Sequence, residues 1–89
     1  MAQIHFTQQL GRFMRVPQVE SDARRLRAAL EAAFAAQPRL RAYVLDDQGR
    51  LRPNVVIFID GVRSRDRVLL DDPLGADSRV YVLQALSGG

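Results

Sequence analysis

Val55-Val56-Ile57-Phe58-Ile59-Asp60-Gly61 is the stretch on which the reading of this chain turns. Four of its first five residues are β-branched and the fifth is aromatic, the side chains that suit a pleated strand. Val55, Ile57 and Ile59 alternate with Val56 and Phe58, so the strand is apolar on both faces. Asp60-Gly61 ends it with a dipeptide that favours a tight hairpin turn. A strand buried on one face and apolar on the other must be covered twice, or must offer its second face to something else.

Downstream, Val62 to Leu70 has no clean period, with a short strand expected near Arg67 to Leu69. Asp71-Asp72-Pro73-Leu74-Gly75 reads as a loop. Arg79 to Ala85 is the last strand, with Val80 and Val82 on one face and Tyr81 and Leu83 on the other. Upstream, Asp46-Asp47-Gln48-Gly49 is a turn, and Arg41 to Leu45 reads as a short strand or an irregular link. Leu26, Leu30, Ala33 and Phe34 fall on one helical stripe. The helix is expected to start at an N-cap on Glu20 or Ser21, with Asp22 in its first turn. Gln37-Pro38 ends it after roughly 16 residues, because the residue before proline disfavours helical geometry. At the start of the chain, Gln3 to Thr7 and Arg12 to Val16 read as a hairpin, turned at Gln8 to Gly11 and stopped by Pro17. The order strand, strand, helix, strand, minor elements, strand predicts an α+β fold, a mixed sheet with one main helix packed on one face.

Composition sets bounds on function. A chain of 89 residues forms one domain. It holds no cysteine, so no disulfide, thiolate metal site or cysteine nucleophile is available. Met1 to Val16 contains no continuous apolar run, and Val55 to Ile59 is too short to span a bilayer. A soluble, cytoplasmic protein with no membrane partner is therefore expected. The net charge is +3, with every basic residue an arginine. These arginines are scattered among 10 acids rather than clustered with stacking aromatics, which argues against nucleic acid as a partner.

No catalytic set emerges. His5 is the only histidine and lies on the polar side of its strand. Asp46-Asp47 and Asp71-Asp72 sit in turns, where aspartate serves backbone hydrogen bonding. Neither a phosphate-binding G-x-x-x-x-G-K-[ST] loop nor G-x-G-x-x-G is present. What remains is Gly88-Gly89, directly after the last strand. Two final glycines arise by chance in roughly 0.5% of chains, so the pair alone is a weak signal.

The context strengthens it. From Leu51 to Gly89 the sequence resembles the ThiS/MoaD family of sulfur carriers. Val55 to Gly61 looks like that family's strand ending in Asn-Gly, with Asp60 in place of the asparagine. Asp72-Pro73-Leu74 and Asp77-Ser78-Arg79-Val80 look like its Pro-Leu and Gly-Asp-x-Val regions, and Tyr81 to Ser87 leads into the diglycine as its last strand does. The resemblance implies a ubiquitin-like β-grasp domain over residues 1–85 and a tail over 86–89. It implies a carrier that is no enzyme and binds no cofactor. A ubiquitin-activating-like adenylyltransferase would use ATP to adenylate the Gly89 carboxylate. A donor such as a rhodanese or cysteine desulfurase would convert it to a thiocarboxylate, and a synthase in cofactor or metabolite biosynthesis would accept the sulfur. The small subunit of such a synthase is the same kind of molecule. Gly88 and Gly89 would then be the activated terminus, slim enough to thread a channel to a nucleotide.

Phe58, Tyr81 and Leu83 are the candidate partner-binding residues on the body, unless segments 39–52 or 63–70 fold over their face. Leu86 and Ser87 are the candidates on the tail. Arg79 and the Arg63/Arg65/Arg67 group are placed to steer an acidic partner or to form a solvated rim. Two other functions use the same features: a ubiquitin-like modifier conjugated through Gly89, and a non-catalytic β-grasp binding module with an idle tail.

Overall fold

A computed structural model describes residues 1–6 and 18–84. Strands β1 (Ala2–Phe6), β2 (Val19–Ser21), β3 (Val55–Ile59), β4 (Val62–Arg63) and β5 (Arg79–Gln84) form one sheet in the order β2-β1-β5-β3-β4. The central pair β1 and β5 is parallel, and the three other pairings are antiparallel. Helices α1 (Leu26–Ala36) and α2 (Arg39–Val44) connect β2 to β3. The α+β, mixed-sheet expectation is borne out. No helix among the described residues is long and apolar enough to cross a membrane.

The core follows from the two periodicities. Helix α1 buries Leu26, Ala29, Leu30, Ala33 and Phe34, the predicted stripe plus one alanine. Against it lie Ala2 and Ile4 of β1, Val55 and Ile57 of β3, and Val80 and Val82 of β5, all essentially inaccessible to solvent. The Asp60-Gly61 turn forms as expected. Both residues have positive φ, 51° and 83°, the requirement of the turn that matches the twist of a two-residue hairpin.

Four local expectations are corrected. Val19–Ser21 is a strand, registered Ala2 to Ser21 and Ile4 to Val19, so Glu20 and Ser21 do not cap a helix. The Ser21 hydroxyl accepts the Ala23 N–H instead. Helix α1 begins five residues later, at Leu26, after an extended Arg25 with no side-chain cap. Its first free N–H groups are met by a distant loop: Leu26 N–H donates to the Asp72 carbonyl (2.9 Å) and Arg27 N–H to that of Leu70 (2.8 Å). Arg41 to Leu45, read as a strand or link, is mostly helix α2, which starts on Pro38 and inserts Leu40 and Val44 into the core. No strand forms at Arg67 to Leu69; the short strand of that region is β4. The expected turn at Gln8 to Gly11 and strand at Arg12 to Val16 lie outside the described residues.

Loop 66–72 is built around Asp66. Its carboxylate accepts the N–H groups of Val68, Leu69 and Asp71. These bonds, that from Asp71 foremost, hold it below the ordinary carboxylate range. Leu70 is left at φ 55° with its side chain fully buried. A left-handed leucine costs about 1–3 kcal/mol; burying its side chain offsets that strain.

Candidate partner face and the base of the tail

The sheet face turned away from α1 carries the alternate residues of the same strands. Cross-strand partners share a face, so the register builds rows directly. His5 stands beside Tyr81, Tyr81 opposite Phe58, and Phe58 opposite Arg63, one row across four strands. The next row toward the end of β5 pairs Leu83 with Val56. On the other side Gln3 neighbours Glu20 and Arg79. Phe58, Tyr81 and Leu83, singled out from alternation, are thus brought together on one face.

That face is not covered by the segments that were candidates to do so. Segments 39–52 and 63–70 send Leu40, Val44, Leu45, Leu51 and Leu70 into the core cluster instead. Tyr81 keeps 39% of its surface exposed, while Phe58, Leu83 and Val56 are half-buried. His5 belongs to the patch and was read only as a surface residue. Its ring stacks on Tyr81 with centroids 4.7 Å apart and planes 12° from parallel, and its Nε2 lies 3.3 Å from the Gln3 Oε1. The stack depends on the parallel β1–β5 register, a long-range pairing with no signature in either strand alone.

The start of β5 is pinned by Asp60. Its Oδ1 accepts the Arg79 N–H (2.9 Å) and its Oδ2 accepts the Ser78 hydroxyl (2.8 Å), while Ser78 Oγ accepts the Gly75 N–H (2.8 Å). The Arg79 amide, then the Ser78 hydroxyl and the Arg79 charge hold the Asp60 carboxyl below its usual range. An asparagine there would have one acceptor oxygen for these two donors; aspartate has both. Asp60 and Ser78 therefore tie the β3–β4 turn to the start of β5.

At its other end β5 reaches Gln84, opposite Val55. That end of β5 is next to the Leu83–Val56 row. Leu86, Ser87, Gly88 and Gly89 lie outside the described residues. Five residues, 85–89, follow β5 in the sequence, and fully extended such a stretch spans at most about 18 Å. Among the described residues, no group of His, Cys, Asp or Glu is arranged to hold a metal ion.

No protein-family model and no curated protein matches the sequence. Solved structures do match the fold, over nearly the whole of both chains. SAMP1 of Haloferax volcanii superposes with a TM-score of 0.77 at 22% identity, covering 99% of this chain and 98% of its own. The small archaeal modifier protein 1 of Methanosarcina acetivorans gives 0.76 at 18% identity, over 99% and 95%. A chain of the Amycolatopsis orientalis BexX/CysO complex gives 0.82 at 12% identity, over 100% of both. At such identities the likeness is one of fold. The chain has the ubiquitin-like β-grasp fold, of the type the ThiS/MoaD resemblance implied.

Proposed function

We propose that this chain is a sulfur-carrier protein whose Gly89 carboxylate is activated by a partner adenylyltransferase and converted to a thiocarboxylate. One observation carries the reading: a β-grasp body whose central strand runs into Leu86-Ser87-Gly88-Gly89. In the first step a carboxylate oxygen attacks the α-phosphate of ATP and pyrophosphate leaves. In the second a sulfur nucleophile attacks the acyl carbon and AMP leaves. Hydrosulfide gives the thiocarboxylate directly; a persulfide gives an acyl disulfide that a second thiol cleaves. The carrier is the substrate in both steps and supplies no catalytic side chain.

Its own contributions are presentation and slimness. The row His5–Tyr81–Phe58 and the Leu83–Val56 pair form the docking face. Leu86 and Ser87 bridge from that face to the diglycine, and Gly88 and Gly89 bring backbone close to the nucleotide without a Cβ. The short reach of the tail supports a docking face beside its base. The recorded BexX/CysO complex is a protein of this fold with a partner.

The test is the intact mass of the purified chain after incubation with a cognate adenylyltransferase, ATP and sulfide. Replacement of one oxygen by sulfur at Gly89 is expected. An unchanged mass, with pyrophosphate released at no more than background rate, refutes the reading.

A second reading is favoured by the neighbours named as small archaeal modifier proteins: the same activated Gly89 is transferred to lysine on other proteins. Peptides from cell lysate carrying this chain's C-terminal remnant on lysine would establish it. The chain has no lysine of its own, so side-chain-linked polymers of it cannot form under either reading.

A further inference from the structure

We propose that the outer edge of β4 is a second interaction surface, which takes an extended acidic segment of a partner protein as an added strand. This does not depend on the fate of Gly89. β4 ends the sheet, with β3 on one side and no strand of the described residues on the other. Ser64 N–H donates to the Ile57 carbonyl (2.8 Å), so residues 62 and 64 turn their backbone groups toward β3. Antiparallel pairing alternates, and the Arg63 N–H and C=O therefore face outward. Val62 stands beside them 71% exposed. An open edge with an exposed valine is the template to which another strand adds.

The charge of this edge points to the chemistry of the added strand. Val62, Arg63, Ser64, Arg65 and Arg67 line one shallow cavity. Arg67 is committed, its guanidinium donating to the carbonyls of Arg52 (2.5 Å) and Val55 (2.7 Å). Arg63 and Arg65 are exposed, and neither forms an ion pair among the described residues. The carboxylates nearest in sequence have other partners: Asp60 accepts from Ser78 and Arg79, Asp66 from the amides of its own loop, Asp71 lies 4.0 Å from the Arg25 guanidinium, and Asp72 accepts the Ser64 hydroxyl (2.9 Å). Arg63 in β4 and Arg65 just beyond it are two residues apart, the spacing at which the side chains of an added strand recur on one face. A segment that alternates Asp or Glu with apolar residues presents carboxylates at that spacing. Nucleic acid fits less well, since the edge offers free peptide groups and its nearest aromatic, Phe58, is half-buried opposite Arg63.

The test uses the full chain and a fluorescent peptide alternating Glu with Val, followed by anisotropy and by amide chemical shifts. Saturable, salt-sensitive binding is expected, with shifts centred on Val62 to Arg65 rather than on His5, Tyr81 and Leu83. R63E/R65E should weaken it about tenfold. Methylating alternate peptide nitrogens, which removes strand pairing and keeps the charge, should abolish it on the unaltered chain even if the double variant misfolds. The proposal is overturned by absence of binding, by binding that survives N-methylation, or by single-stranded RNA binding as tightly.

Discussion

Replacing Tyr81 by alanine tests the proposed docking face, because the ring's packing within the fold and its proposed contact with a partner are separable. Within the fold, the ring stacks on His5 and stands opposite Phe58. A stacked aromatic pair contributes about 0.5–1.5 kcal/mol beyond burial, and an aromatic cross-strand pair about 0.2–1 kcal/mol. Tyr81→Ala should therefore cost about 0.7–2.5 kcal/mol of stability. Unfolding entropy near 2.1 cal/mol/K per residue, taken over 89 residues, is about 190 cal/mol/K, so each kcal/mol moves Tm by about 5 °C. A fall of about 4–13 °C is expected, with the chain still folded at 25 °C. Toward a partner, an aromatic at the centre of an interface is worth about 2 kcal/mol or more on truncation, roughly 30-fold in affinity. The assay is pyrophosphate release by the adenylyltransferase as a function of carrier concentration. KM should rise about 30-fold with kcat kept, since the acyl terminus is unaltered. Tyr81→Phe, which retains the ring, should leave both near wild type. A variant that loses the expected stability while keeping KM would show that the His5–Tyr81–Phe58 row is packing only, and the docking face would have to be sought elsewhere.

Gly88→Ala should lower adenylation by about 100-fold, the scale of a small misplacement at a reacting centre, and leave Tm unchanged because the residue lies beyond β5; paired kinetics and calorimetry read both. Gly61→Ala should cost about 1–2 kcal/mol in urea titration, since φ is 83° and an added Cβ would meet nothing within 4 Å, which makes the penalty one of backbone alone. Asp66→Asn should destabilise the chain at pH 7 and flatten its acid sensitivity. The Asp66 carboxyl is held below its usual value by the Asp71, Leu69 and Val68 amides, so its contribution is complete above the unfolded carboxyl pKa of about 3.9 and is lost as pH falls through the lower folded value. The gap in urea midpoint between variant and wild type should be smaller at pH 3 than at pH 7.

Where sequence and structure agree, the determining interactions are local. Alternation in Val55 to Ile59, the 3.6-residue stripe of α1 and the positive φ of Asp60-Gly61 are properties of a few neighbouring residues, and each is legible. The start of α1 is not. Ser21 followed by Asp22 has the composition of a cap, yet Ser21 is held by its register with Ala2. The helix opens against the carbonyls of Asp72 and Leu70, more than forty residues away. Arg41 to Leu45 failed for a related reason: Leu40 and Val44, four residues apart, reach the core together only on a helix, and a six-residue helix is too short to announce its period. At the candidate site, alternation placed Phe58, Tyr81 and Leu83 on one face. His5 escaped because only the parallel pairing of the two chain ends sets it against Tyr81.

That parallel pairing also sets where β5 sits relative to the patch. β5 lies between β1, from the start of the chain, and β3, from its middle. Its odd residues, Tyr81 and Leu83, complete the exposed face, while Val80 and Val82 lock it into the core at 0% exposure. A strand held on both edges and by its inward side chains cannot slip by one residue without exposing Val80 and Val82 and burying Tyr81. The register of β5 up to Gln84 is therefore fixed relative to the patch. Five residues follow Gln84 in the sequence, at most about 18 Å when fully extended. Under the proposed function, an enzyme that grips the patch would receive Gly89 within a small volume, and the entropy of finding it would fall mainly on residues 85–89 rather than on the whole chain.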